Sequence, residues 1–280
     1  NYSKYGPIKK SYDDHPNYFF HEADVKDIEL VKEILKDCDH LVAGAAMIGG
    51  ISYFHEYAYD LLAENERIVA ATFDAAIDAH KNHKLQKITV MSSSMVFEST
   101  ETYPTPEGAE RTSPPPLSTY GFQKLACEYF AQGAKMQYGL PYTIVRPFNC
   151  VGVGEQKAIG DKEILSGNVS LAMSHVVPDL IQKIVKGQDP LRILGEGNQI
   201  RHYTYGADLA SGIRTAVEHP AALNEDFNLS TAVSTTVLEL AEKIWGHLKP
   251  DTPFRYESDD PFFYDVQKRV PDVKKAKELL

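Results

Sequence analysis

Two side chains in the segment "STYGFQK" (residues 118–124), Tyr120 and Lys124, have the types and spacing to do acid–base chemistry. Four residues apart on a helix, they share a face, so the ammonium can lie beside the phenol. A free phenol ionises near pH ~10, too high for a base at neutral pH, and an adjacent ammonium favours the phenolate and lowers that value. Such a pair can take the proton from an alcohol. Alone, the spacing is common on amphipathic helices, so it needs company. Upstream, the run "MSSS" supplies Ser92, Ser93 and Ser94 at the end of an apolar stretch. A hydroxyl there can hold a substrate oxygen opposite the tyrosine, although three serines also suit a simple turn.

For these groups to meet, a strand must end where a helix begins. Short apolar runs alternate with longer stretches of helical spacing, which predicts a parallel sheet wrapped by helices. "NYFFHEADV" reads as a strand and turn, "DIELVKEILKDC" as a helix, and "HLVAGAA" as a buried strand running into a small-residue turn. A long helix from about Tyr57 to His80 follows, then the strand "KITVMSSS", the helix carrying Tyr120 and Lys124, and the strand "YTIVRPFN". Past Asn149 the pattern is less regular. The spacing divides the chain into a first domain of residues 1–149 with about 205–230, and a smaller region of about 150–204 and 231–280.

The 280 residues carry a formal net charge of -10, which argues against broad nucleic-acid or anionic-membrane binding. An anionic ligand needs local arginines instead. Cys38, Cys127 and Cys150 are far apart and show neither metal-ligand spacing nor a disulfide framework. With no signal-like start and no apolar run of membrane-spanning length, the expectation is a cytoplasmic protein without a metal.

Seven stretches taken together, "HEADV", "HLVAGAA", "SSSMVFE", "STYGFQK", "VRPFNCVG", "GEGNQIRHYTYGAD" and "RVPDVKKAKELL", resemble the extended short-chain dehydrogenase/reductases that modify nucleotide-linked sugars. The resemblance runs from about Tyr18 to the C-terminus. It implies an α/β fold with a Rossmann-type doubly wound parallel sheet, NAD (with NADP open) as cofactor, a nucleotide-diphosphate sugar as substrate, and a homodimer as partner state. In that family the tyrosine removes a sugar hydroxyl proton while hydride passes to the nicotinamide. Residue by residue, the resemblance makes Tyr120 the acid/base, Lys124 its partner and nicotinamide-ribose ligand, and Ser93 the substrate-hydroxyl ligand. It puts Asp24 and Val25 near the adenine, Gly44, Ala45 and Ala46 along the dinucleotide, Asn65 bracing that strand, and Phe148 with the cofactor. Ser94, Asn149, His175, Val176, Arg201 and Arg269 fall on the substrate side. Arg201 suits a diphosphate through its guanidinium fork; a tail arginine such as Arg269 is as readily a solvated surface charge. The family's glycine-rich turn between its first strand and helix has no counterpart here, so the sequence is read as lacking the opening strand–helix–strand unit.

The residues after the serine sort reactions. The 4,6-dehydratases resembling this chain carry Asp-Glu there and the glucuronate decarboxylases a Glu; Ser94 and Met95 supply no such acid. "AAMIGGISYF" and "SHVVPDLI" resemble the GDP-fucose synthases and GDP-mannose 3,5-epimerases. His175 matches their histidine, but Met95 replaces their cysteine, and a thioether cannot shuttle protons. His175 either contacts substrate or caps the following helix. The set Ser-Tyr-Lys suffices for a 4-epimerase, with a C4 reductase as the alternative enzyme and a non-catalytic dinucleotide sensor or scaffold as the alternative of another class.

Overall fold

Asp27 starts the first helix: its carboxylate accepts the Leu30 N–H and caps α1 (Ile28–Leu35). The computed structural model describes residues 4–155, 163–172, 174–261 and 265–280. In chain order after α1 come β1 (His40–Ala43), α2 (Ile51–Glu56), α3 (Ala58–Asn82), β2 (Lys87–Met91), α4 (Thr119–Tyr138) and β3 (Tyr142–Pro147). Then follow β4 (Cys150–Val151), β5 (Glu163–Ser166), β6 (Val169–Ala172), α5 (Val176–Val185), β7 (Leu191–Leu194), β8 (Ile200–Arg201) and β9 (Thr204–Tyr205). The chain closes with α6 (Gly206–Glu218), β10 (Glu225–Leu229), β11 (Thr235–Thr236), α7 (Val237–Leu248), β12 (Tyr256–Asp259) and α8 (Lys274–Leu279).

The main sheet has the order β1-β2-β3-β10 with every pair parallel, in register at Leu41↔Ile88, Val90↔Ile144 and Phe227↔Val145. Parallel neighbours need crossovers, and α3 and α4 supply them. Both lie with α1 on one face, where Phe73, Ala75, Ala76 and Ala79 meet Ile88, Val90, Ala131 and Ile144. The alanines let long helices approach the sheet closely. On the other face, Leu209 and Ala216 of α6 close over Val145, Phe227 and Leu229, with Ala276 of α8 beside them. Helices on both faces make the sheet doubly wound, and each fully buried Ile, Leu or Phe adds about 1.5–3 kcal/mol. A separate apolar cluster joins Leu180 and Ile184 of α5 to Ala241 and Trp245 of α7 and to Leu191 and Ile193 of β7, which pairs in parallel with β12.

One expected strand is absent. "NYFFHEADV" runs as irregular chain, because among the described residues no strand lies beside it and a lone extended segment has no ladder to complete. Phe19 is 77% exposed, while Tyr18 and Phe20 present their rings to the Lys10 ammonium at 5.7 and 5.1 Å. Among the described residues, no helix is long and apolar enough to cross a membrane.

Candidate active site

β2 delivers the serines to the C-terminal edge of the sheet. Ser92 turns inward and its hydroxyl donates to the Glu128 carboxylate on α4. Ser93 is extended and opens a short turn over Ser94–Phe97, its Oγ accepting the Met95 N–H at 3.2 Å. Ser94 is buried within that turn.

α4 begins at the cap residue Ser118, whose Oγ accepts the Gly121 N–H at 3.0 Å, and ends at Gly139, where a φ of 76° favours glycine. Tyr120 is the second helical residue. It is buried among Leu61 and Met95, with Phe54 of α2 stacked on its ring at 4.3 Å and 12°. Lys124 extends to the end of β2, where Nζ donates to Met91 O at 2.9 Å and lies 5.9 Å from the Tyr120 ring centroid. The strand-exit turn and the helix start touch, since a Cβ at Gly121 would stand 2.8 Å from Met95 O. Among the described residues the Tyr120 and Ser93 hydroxyls make no hydrogen bond to each other. The Met95 N–H holds the serine, and among the described residues the tyrosine hydroxyl has no hydrogen-bond partner.

Beneath this edge lies an ion network that the sequence analysis did not single out. Arg146 of β3 is buried and donates to Glu128 through Nε (2.8 Å) and Nη2 (2.7 Å), and to Asp226 of β10 at 2.6 Å; Glu110 stands 3.4 Å away. Burial opposes the charge, but Glu128 above all, with Asp226 and Glu110, holds the guanidinium protonated and raises its pKa. Lys275 closes the far side at 2.7 Å from Asp226. The only sequence signal was an arginine inside the apolar strand "YTIVRP" and a glutamate four residues beyond Lys124.

Val25, Gly44, Ala45, Ala46 and Lys124 line one largely apolar cleft over the edge of β1 and β2. A Cβ at Gly44 would meet only Met91 Cγ at 3.8 Å, so small residues here leave room for a ligand and are not forced by packing. Asn65 is fully buried and grips the loop beyond β1, taking the Met47 N–H at 2.7 Å and giving Nδ2 to Met47 O at 2.9 Å. It therefore ties α3 to the loop that follows β1. Asp24 stands outside the cleft lining and holds the turn through the Lys26 N–H at 2.9 Å. Phe148 is buried against Val96, Phe97 and Ala109, and Val176, partly buried, packs against the α5–α7 cluster.

Beyond Tyr120 is a basic cradle. Arg201 of β8 is buried, with Nη1 on Ile200 O at 2.9 Å and Nη2 3.3 Å from Asp265; burial pulls its pKa down against the pull of that carboxylate. Arg269 is a partly buried residue whose enclosed Nε has no partner among the described residues. Burial first, and then Arg201, push it down to about 9, while Asp265, Glu98 and Tyr120 oppose the fall. Asn149 Oδ1 and the Tyr203 hydroxyl are likewise enclosed and find no partner among the described residues, and burial pushes the Tyr203 phenol up to about 12. Orphaned donors and acceptors around two guanidinium groups fit a polyanion with hydrogen-bonding edges.

His175 does not cap α5 with its side chain. Its Nδ1 lies 2.7 Å from Glu155 Oε1, which also accepts the His175 N–H at 2.9 Å. Burial would raise the Glu155 pKa, but the histidine contacts hold it below the usual carboxylate range. The loop after β1 presses on this point, as a Cβ at Gly50 would stand 2.4 Å from Ser174 O.

The model of the NAD dependent epimerase/dehydratase family matches residues 2–230, starting earlier than the resemblance seen from Tyr18. The chain belongs to this family. It is 26% identical over 246 residues to "Putative GDP-L-fucose synthase 2" of Oryza sativa subsp. japonica, covering 86% of this chain and 66% of that protein. It is 24% identical over 283 residues to a UDP-glucose 4-epimerase of Lactobacillus helveticus, covering 95% and 78%. The chain thus spans just under two thirds of the rice protein. A solved UDP-glucose 4-epimerase from Thermotoga maritima, with UDP-glucose, superposes with a TM-score of 0.75 at 25% identity, covering 94% of this chain and 78% of that one. The family's cofactor is NAD, and the cleft that runs past Gly44, Ala45 and Ala46 to Lys124 has small residues along its wall, as close approach of a dinucleotide needs.

Proposed function

We propose that the protein is a nucleotide-sugar 4-epimerase. The observation that supports this reading is Lys124 Nζ on Met91 O at the end of β2, 5.9 Å from the Tyr120 ring, with Ser93 two residues further along the strand exit and Arg269 within electrostatic reach of Tyr120. NAD supplies the hydride acceptor and donor. Val25, Gly44, Ala45, Ala46 and Lys124 would hold it, with Asn65 fixing the loop above. Tyr120 takes the proton of the C4 hydroxyl and later returns it to the oxygen on the other face of the turned 4-keto sugar. Lys124 lends its charge to the phenolate, which is the sign of field a base of this kind needs. Ser93 donates its hydroxyl hydrogen to the sugar oxygen while its Oγ still accepts the Met95 N–H. Arg201, Arg269 and Asn149 bind the nucleotide diphosphate, and Ser94 and Met95 leave the site without the carboxylate that elimination or decarboxylation requires.

A homodimer belongs to the same proposal. Phe122, Tyr129 and Met136 recur every seven residues along α4, exposed at 49%, 63% and 88%, a seam fitted to a second copy. The test of activity is incubation with NAD and UDP-glucose, UDP-glucuronate or GDP-mannose, followed by proton NMR. A 4-epimer that disappears in Y120F supports the reading. No turnover of any of these favours the sensor or scaffold alternative.

The Glu155–His175 pair favours a second reading, a 3,5-epimerase or reductase of the GDP-fucose synthase type, because a carboxylate on Nδ1 leaves Nε2 as an acceptor. Solvent deuterium appearing at C3 or C5 of a GDP-4-keto sugar would support it over simple 4-epimerisation.

A further inference from the structure

The first turn of a helix leaves backbone N–H groups without intrahelical partners. In α4 the Ser118 hydroxyl takes the N–H of Gly121. In a capping box, the side chain at that third helical position reaches back to the N–H of the cap residue. Gly121 has no side chain to do so, and a Cβ there would stand 2.7 Å from Pro116 Cβ, 2.8 Å from Met95 O and 2.9 Å from Glu98 Oε2. The missing carboxylate comes from outside the helix. Glu98 Oε2 accepts both the Ser118 N–H at 2.9 Å and the Ser118 hydroxyl at 2.8 Å, from a residue twenty positions upstream.

Glu98 ends the very turn that Ser93 begins. One carboxylate therefore fastens the turn bearing Ser93 to the helical turn bearing Tyr120. These are the two hydroxyls that must converge on a single sugar oxygen. The joint is also tight, for Gly121 brings the two turns to backbone contact. A side chain that fixes this joint fixes the distance over which the proton moves, and small displacements of a reacting group are costly.

We infer that Glu98 is a positioning residue, holding Tyr120 in register with Ser93 by capping α4 from the strand-exit turn. Its catalytic consequence rests on the 4-epimerase reading; its structural part does not. The variants are E98A, which removes both acceptors, and E98Q, which keeps a carbonyl acceptor for the Ser118 groups. The probe is UDP-glucose with NAD, with kcat referred to folded protein, and hydrogen exchange is followed over residues 118–121. In E98A, kcat falls about tenfold with KM within about twofold, and E98Q recovers most of the loss, in line with the loss of a helix cap at a catalytic turn. Exchange over 118–121 is faster in E98A and near wild type in E98Q. A wild-type kcat in E98A, a loss carried by KM alone, or unchanged exchange overturns the inference. If the wild-type protein turns over no nucleotide sugar, the 4-epimerase reading is what fails, and the exchange result alone decides the role of Glu98.

Discussion

Phe54 lies face to face with Tyr120, ring centroids 4.3 Å apart and planes 12° from parallel. One face of the phenol is thereby closed, so a sugar and a nicotinamide must approach from the other face or along the ring edge. Stacked aromatic pairs contribute about 0.5–1.5 kcal/mol beyond their buried area. In F54A the expected outcome is faster nitration of Tyr120 by tetranitromethane, read by peptide mass spectrometry, together with lower turnover. Unchanged nitration would mean that the ring does not shield the phenol in solution.

Tyr120 and Lys124 are the proposed proton-transfer pair, and their removal acts on chemistry more than on folding. Y120F keeps the ring that packs on Leu61 and Met95 and loses only the hydroxyl. Loss of a general acid–base group costs about 10²–10⁴-fold in rate. Y120F is expected to lose kcat in that range with NAD affinity retained, measured by stopped turnover and by calorimetry. K124M removes the ammonium and its bond to Met91 O, so both turnover and NAD affinity fall.

Arg269 supplies fixed positive charge to the cradle. Burial and the neighbouring Arg201 disfavour that charge in the ligand-free protein, and a diphosphate beside it would relieve both. A guanidinium stays protonated through the working pH range, so its effect is read by removing it. R269Q should bind UDP about 10- to 100-fold more weakly at neutral pH, as for loss of a charged hydrogen bond, measured by calorimetry.

Asp226 links the sheet to α8 through Arg146 and Lys275. Burial raises its pKa, but Arg146 first and Lys275 next outweigh that, and the folded value is depressed. A carboxylate depressed on folding stabilises the native state above its unfolded pKa of about 3.9, and that contribution is lost as pH falls through the folded value. D226N should therefore be less stable than wild type by about 2 kcal/mol at neutral pH, in the range for hydrogen bonds to charged groups, with the gap shrinking below about pH 4. Urea unfolding at several pH values reads this directly.

The pair on α4 was legible because it depends on local spacing: Tyr120 and Lys124 sit in one helix, at the end of a strand whose serines precede them. Strands β1, β2 and β3 were legible for the same reason, as apolar runs bounded by turns. "NYFFHEADV" was not, since strand character belongs to a pair of segments and its own composition cannot name a partner. The packing of Phe148 and Val176 was not legible either, since an apolar residue reads alike whether it faces a cleft or a core. The Arg146 network joins residues 18 and 80 positions apart, and the Glu98–Ser118 joint spans 20, distances at which no periodicity carries information. Arg269, read as readily for a surface charge, has its Nε enclosed in the cradle.

The close approach at Gly121 has an evolutionary consequence. A single methyl there meets Pro116, Met95 and Glu98 at once, on three sides. Descendants of this sequence cannot gain a side chain at that residue in one step without first remodelling the proline loop or the strand exit, so the junction behaves as a ratchet that drift passes only through paired changes.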